Sequence, residues 1–286
     1  MGSAINVALP ALGREFSLNA LFLNWMATIF LLAAAMSLVP LGRMADLYGR
    51  KRLFLWGVAL YALSSLACSA APDAVMLIIL RFLQGIGGAM IFGTSTAILI
   101  SVFPRSERGK VLGINVAAVY TGLSAGPLIG GILTQHLGWR SIFLLNAILG
   151  LAVLFCTLWK LKDEWAEARG ERFDLTGTII YSLSLFLLMM GFSRLPSTVA
   201  FLFIVIGIAG VAAFIKWEIR TPSPLLDVSL FLQNRAFTFS NLAALIHYSA
   251  TYAVSFLMSL YLQFIKDFSP QVAGGILLAQ PVIQAV

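Results

Sequence analysis

The run Leu195-Pro196-Ser197-Thr198-Val199-Ala200-Phe201-Leu202-Phe203-Ile204-Val205-Ile206-Gly207-Ile208-Ala209-Gly210-Val211-Ala212-Ala213-Phe214-Ile215 contains no Asp, Glu, Lys, Arg or His. A helix rises 1.5 Å per residue and the hydrocarbon core of a bilayer is about 30 Å thick, so this length of apolar chain reads as a membrane span. Working outward, eight further stretches without Asp, Glu, Lys or Arg reach or nearly reach the same length: 16–42, 53–72, 82–104, 111–139, 141–159, 175–193, 236–265 and 268–286. Short charged or turn-forming links separate them. The span over 82–104 is expected to begin near Val75 and so to carry Arg81 inside it. Residues 1–10 read as the last turns of an earlier helix. None of these runs has the two-residue alternation of barrel strands, which leaves an all-α membrane protein.

Composition agrees. Of 286 residues 60% are hydrophobic and 11% charged, against about 25% charged in a soluble domain, and the mean hydropathy is +0.93. A soluble protein, a disordered chain and a nucleic-acid partner are excluded together. The net charge of +7 gains its meaning from position. With the link after 16–42 placed in the cytoplasm, fourteen of the nineteen Lys and Arg fall on that side and four outside, with Arg81 within a span. The excess of basic residues in cytoplasmic loops fixes the topology. Trp25, Trp56, Trp139, Trp159 and Trp217 lie near span ends and read as interfacial anchors. Cys68 and Cys156 sit in apolar runs and suggest neither a disulfide nor a metal site. No P-loop, metal-ligand cluster or nucleophile elbow marks an enzyme or a cofactor.

Four constellations rise above this background. In Gly42-Arg43-Met44-Ala45-Asp46-Leu47-Tyr48-Gly49-Arg50-Lys51-Arg52 the two glycines permit a tight loop. Asp46 can pair with Arg50 four residues on, and the basic run holds the loop on the inner face. In Arg81-Phe82-Leu83-Gln84-Gly85-Ile86-Gly87-Gly88 a charge at membrane depth is expected to face the bundle interior and a partner there, the alternative being that Arg81 snorkels to an interface. The small residues Gly85, Ala89, Gly93 and Ala97 recur every four and form a ridge for close helix approach. In Gly122-Leu123-Ser124-Ala125-Gly126-Pro127-Leu128-Ile129-Gly130-Gly131 the glycines make a groove and Pro127 kinks the helix. The fourth is Asn6-Val7-Ala8-Leu9-Pro10, together with Trp139-Arg140, Phe143 and Asn146.

These stretches resemble motifs A, B and C of the major facilitator superfamily and the first-helix and sixth-helix patterns of its fourteen-helix drug:proton antiporter-2 group. Leu47 departs from the arginine usual after the aspartate, and Ala147 replaces a frequent proline. The two spans 175–193 and 195–215 stand where a twelve-helix member would have a loop, which is the fourteen-helix arrangement. Pro224-Leu225-Leu226-Asp227, Tyr261-Leu262-Gln263 and Gly274-Gly275 fit the helices that follow. The resemblance implies a helical bundle with about nine full spans plus the end of a first helix. Residues 1–160 would form the N-terminal six-helix half, 161–220 a linker with two additional membrane helices, and 221–286 the start of the C-terminal half.

The implied function is proton-driven efflux of amphipathic or cationic drugs across a bacterial inner membrane. Its partners are the lipid bilayer, a small amphipathic substrate and protons, and in a double-membrane bacterium an adaptor and outer-membrane channel. The alternatives are a dedicated exporter of a metabolite or siderophore, a transporter-like sensor and a non-functional fragment. The resemblance makes Arg81, Gln84 and Gly85 the residues of proton coupling. Gly42, Asp46, Gly49, Arg50 and Arg52 become a gating loop, and Gly122, Gly126, Pro127, Gly130 and Gly131 an antiporter groove. His247, titratable near neutral pH inside a span, is a further proton-linked candidate, with a satisfied core imidazole as the alternative. Asn24, Met26, Asn115, Tyr120, Tyr252 and Met258 are candidates to line a substrate cavity. None of the twelve Asp and Glu lies within an expected span. In the resembling group an aspartate precedes the equivalent of Asn6 by five residues, where this chain has Met1. The chain therefore reads as truncated at both ends and is expected not to perform proton-coupled export alone.

Overall fold

The computed structural model describes residues 4–168, 170–279 and 283. Eleven α-helices run in order: α1 (Ala4–Glu15), α2 (Ala20–Tyr48), α3 (Arg50–Ser69), α4 (Ala74–Val102), α5 (Arg108–Leu137), α6 (Arg140–Lys160), α7 (Leu175–Ser193), α8 (Thr198–Glu218), α9 (Ser229–Gln233), α10 (Arg235–Leu260) and α11 (Pro270–Leu277), with a π-helical turn over Tyr261–Ile265 after α10. No strand occurs among the described residues. Among the described residues eight helices are long and apolar enough to cross a membrane, which makes this a multi-pass membrane protein. The ninth expected span, 268–286, contains α11 and then runs largely outside the described residues.

Short polar side chains start the helices. Asn19, Asp73, Asp174 and Asn234 accept from the backbone N–H of Phe22, Met76, Gly177 and Phe237, and Ser269 caps α11 with Pro270 in its first turn. Such caps satisfy donors that have no intrahelical partner. The α4 start at Ala74 matches the expected onset near Val75. In contrast, α2 extends six residues past the apolar run, through Arg43 and Asp46 to Tyr48. The expected gating loop is thus mostly helix, with Gly49 alone between α2 and α3. Its φ of +120° lies where side chains are disfavoured, so glycine is required at this corner.

The main core lies where α1, α2, α3, α4 and α6 meet, around Leu9, Met26, Cys68, Leu77, Ile142 and Phe143. Small residues set the spacing. A Cβ on Gly85 would meet Ala33 at 2.7 Å, and one on Gly87 would lie 2.8 Å from the Tyr61 nitrogen, so the ridge on α4 takes α2 on one side and α3 on the other. Apolar side chains such as Trp56, Phe155, Trp159, Phe201 and Val205 point outward, as a lipid-facing surface requires. Trp139 departs from its reading as an interfacial anchor, because it is 3% exposed and its indole N–H donates to Glu15 at 2.6 Å. Helices α7 and α8 form an antiparallel hairpin against α2. Its end at Asp174 and Glu218 is tied by Trp217 Nε1 donating to Asp174 Oδ2 at 2.8 Å and by Leu226 N donating to Glu218 Oε2 at 3.0 Å.

Candidate functional site

Three pieces of the structure collect the residues singled out above. The first is the corner between α2 and α3. Arg50 is 8% exposed, contrary to an open basic loop. Its guanidinium donates to Asp46 Oδ1 at 2.9 Å, to both oxygens of Glu167 at 2.8 Å each and to Ser101 Oγ on α4 at 3.0 Å. A two-pronged arginine–carboxylate contact fixes orientation as well as distance. Glu164 places its carboxylate over the start of α3 and accepts from the backbone N–H of Lys51 at 2.9 Å and Arg52 at 3.1 Å. It reaches so close to Gly49 that a Cβ there would lie 2.5 Å from Glu164 Oε1. The pairing Arg43–Glu171 and the backbone bonds Arg50 N to Trp165 O and Ala168 N to Asp46 O complete the seam. The acidic linker after α6 is therefore docked onto the basic corner. Arg52 remains exposed.

A cavity of about 440 Å³ opens beside this corner, lined by Gly42, Arg43 and Asp46, by Gly93 on α4, and by Pro224, Leu225 and Asp227 from the segment after α8. This lining was not foreseen from the sequence, because it joins the gating residues to a loop about 180 residues later.

The second piece is the buried arginine. Arg81 is 4% exposed. Its Nε donates to the Met26 carbonyl at 3.0 Å and its Nη1 to Gln84 Oε1 at 3.2 Å. Gln84 in turn donates to Ser65 at 2.7 Å, and the Ser65 hydroxyl donates to the Tyr61 carbonyl at 2.6 Å. The rings of Phe30 and Phe143 stand 5.4 and 5.9 Å from the guanidinium carbon, within cation–π range. The expectation of an inward-facing Arg81 is realised with neutral partners: no carboxylate pairs with it among the described residues. A cavity of about 10 Å³ lies between Ile5, Phe30, Tyr61, Arg81, Gln84, Ile142 and Asn146, room for about one water molecule.

The third piece is α5. Of the groove expected over Gly122, Gly126, Pro127, Gly130 and Gly131, the Gly122 end is open and the Pro127–Gly131 end is in close contact. A Cβ on Gly122 would meet nothing within 4 Å, and Gly126 is buried. The close contacts belong to Pro127, Gly130 and Gly131. A Cβ on Gly130 would sit 2.8 Å from Ala4 of α1, one on Gly131 would lie 2.9 Å from the Pro270 carbonyl carbon of α11, and one on Gly274 of α11 would lie 2.9 Å from the Pro127 carbonyl carbon. Helices α5 and α11 thus touch backbone to backbone.

The cavity candidates do not converge. Met26 is fully buried in the main core and its carbonyl accepts from Arg81. Asn24, Asn115 and Tyr120 are half-buried, Met258 is exposed, and Tyr252 stacks on Phe256 at 6.1 Å. His247 is exposed among the described residues and edge-on to Tyr248 at 5.5 Å.

At the opposite end from the corner, Glu15 joins Trp139 to Arg140, with Arg140 Nη1 at 2.6 Å from Glu15 Oε1. Partial burial works to raise the Glu15 pKa, but the hydrogen bonds from Trp139 and Arg140 outweigh it and hold the carboxyl below its ordinary range.

Comparison with known proteins reaches the same family as the motifs. The chain is 30% identical to the riboflavin transporter RibZ of Clostridioides difficile over all of this chain and 62% of that protein. It is 32% identical to the multidrug resistance protein Stp of Mycobacterium tuberculosis over 96% of this chain and 52% of that protein. It is 30% identical to the tetracenomycin C resistance and export protein of Streptomyces glaucescens, again over 96% and 52%. The chain spans between half and two thirds of the length of these relatives. The family model for the Major Facilitator Superfamily matches residues 1–283, and with that match and a helical bundle carrying all three motifs, the chain belongs to the major facilitator superfamily.

Proposed function

We propose that the protein takes part in proton-driven export of amphipathic or cationic compounds across a bacterial inner membrane. The observation that carries this reading is the seat of α11 on the Pro127–Gly131 face of α5. Facilitator halves rock against each other around a central site, and a smooth backbone-to-backbone seam with a proline bend suits such a motion. In this reading residues 1–160 form one half, α7 and α8 are an insertion, and 221–286 begin the other half. Arg81, Gln84 and Gly85 form the coupling centre. A guanidinium keeps its proton, so Arg81 acts by its field on neighbouring groups and not by releasing a proton itself. The corner of Gly42, Asp46, Gly49, Arg50 and Arg52 closes the cytoplasmic side while its ion pairs hold. The names of two relatives, for multidrug resistance and for tetracenomycin C export, support the direction and the substrate class.

The likeness to a riboflavin transporter favours a second reading, a transporter dedicated to one metabolite. Everted membrane vesicles containing the protein, given an imposed pH gradient, separate the two. Gradient-dependent uptake of ethidium that disappears in Arg81→Ala supports multidrug antiport. Movement of riboflavin without ethidium supports the dedicated transporter, and ethidium accumulation indifferent to the gradient refutes proton coupling.

A further inference from the structure

Proline has no N–H, so inside a helix it leaves the carbonyl four residues earlier without its intrahelical donor. In hydrocarbon no water replaces that donor, and a side chain must. Helix α2 carries Pro40 and helix α1 carries Pro10, which free the carbonyls of Met36 and Asn6. The Ser182 hydroxyl of α7 donates to Met36 O at 2.9 Å, and Tyr181 beside it donates to Ala35 O at 3.0 Å. The Ser259 hydroxyl of α10 donates to Asn6 O at 2.8 Å. Each serine comes from a distant part of the chain and meets the one carbonyl that the proline has emptied. The habit of other helical hydroxyls here is different: Ser64, Thr94, Ser101 and Ser184 all bond back to the carbonyl four residues before them in their own helix.

We propose that Ser182 is a positioning residue that sets the bend of α2, so that the α7–α8 hairpin braces the helix ending in the Asp46–Arg50 corner. The bend has leverage. Tyr48 stands twelve residues beyond Met36, about 18 Å along the axis, so each 10° change in bend carries the corner through about 3 Å. The hairpin has a defined purpose in this arrangement: one hydroxyl of α7 holds open the angle that Pro40 permits. The inference concerns the resting shape of α2 and stands whether or not the protein exports drugs.

The test uses the 286-residue chain in lipid nanodiscs, in a Cys68→Ala/Cys156→Ala background. Spin labels at exposed Tyr48→Cys on the corner and Phe155→Cys on α6 report the distance between them by pulsed electron resonance. Ser182→Ala is expected to shift or broaden this distance by about 3 Å or more, and Ser182→Thr, which keeps the hydroxyl, to restore it. In a Pro40→Ala background Met36 O regains its own helix donor, and Ser182→Ala should then change nothing. An unchanged distance in Ser182→Ala, or an equal change with and without Pro40, overturns the proposal. If Ser182→Ala alone does not fold, folding of the Pro40→Ala/Ser182→Ala pair supports the proposal, and failure of both overturns it.

Discussion

Adding one methyl group at Gly131 should loosen the bundle, whereas the same addition at Gly122, nine residues earlier on the same helix, should not. In Gly131→Ala the new Cβ lies 2.9 Å from the Pro270 carbonyl carbon and 3.0 Å from the Gln271 Cα. Carbon atoms in contact prefer roughly 3.5–4.0 Å, so α5 and α11 must part by about 0.6–1 Å. The obstacles are backbone atoms, and no rotamer change moves them aside. A gap of that size forfeits about a quarter to a half of each dispersion contact along the seam, consistent with the roughly 1–3 kcal/mol typical of overpacking. In Gly122→Ala the Cβ meets nothing, and alanine is favoured over glycine in a helix by up to about 1 kcal/mol. Unfolding in mixed micelles of rising dodecyl sulfate content would compare the variants. The expected order of midpoints is Gly122→Ala at or above the parent and Gly131→Ala clearly below it. Equal midpoints for the two variants, or the reverse order, would refute the placement of the seam.

Two further outcomes follow from the polar contacts. Glu164→Ala removes the acceptor for the Lys51 and Arg52 N–H groups and should cost about 1 kcal/mol, the usual worth of a helix cap, measured by the same micelle titration; no loss would mean that water caps α3 equally well. Because the folded Glu15 carboxyl is held below its ordinary pKa, its contribution is fully present above pH about 4.3 and fades as pH falls further. Glu15→Gln should therefore flatten the loss of stability between neutral pH and pH 3, and an unchanged acid limb would exclude Glu15 as its source.

The membrane helices were legible because bilayer thickness demands an unbroken apolar length, and one chain at a time supplies it. The start of α4 was legible to within a residue by the same logic, whereas the Asp73 cap that fixes it emerged only in the structure. The end of α2 was misplaced because charges are tolerated in a last helical turn once it clears the hydrocarbon, so Arg43 and Asp46 broke the apolar run without breaking the helix. Arg81 was legible as buried, since its cost at depth forces it inward. Its neutral partners were not, because the Met26 carbonyl and the rings of Phe30 and Phe143 carry no signal at sequence level. The docking of Glu164, Glu167 and Glu171 was equally hidden. Their charge and side of the membrane could be read from the chain, and the signal for pairing was there in an acidic run facing a basic corner. Which acid meets which base depends on how α3, α4 and α6 pack. The groove on α5 is used at its Pro127–Gly131 end and open at Gly122 for a similar reason: spacing marks a small-residue face, and only the neighbours decide which part of it is used.

The docked linker also bears on the order in which the protein is made. A chain grows from its N-terminus, and the donors at Lys51 and Arg52 lie 113 and 112 residues ahead of the acceptor they use on Glu164, while Arg50 lies 117 ahead of Glu167. Helix α3 must enter the bilayer with its first turn open, and the corner can set only after α4, α5 and α6 have been threaded and the following residues have emerged on the same side as the corner. The ribosome thus delivers the acidic half of the lock well after the basic half. A nascent chain halted at Lys162 would carry α1–α6 with an unlatched corner, and the nine residues to Glu171 would supply the acids that close it.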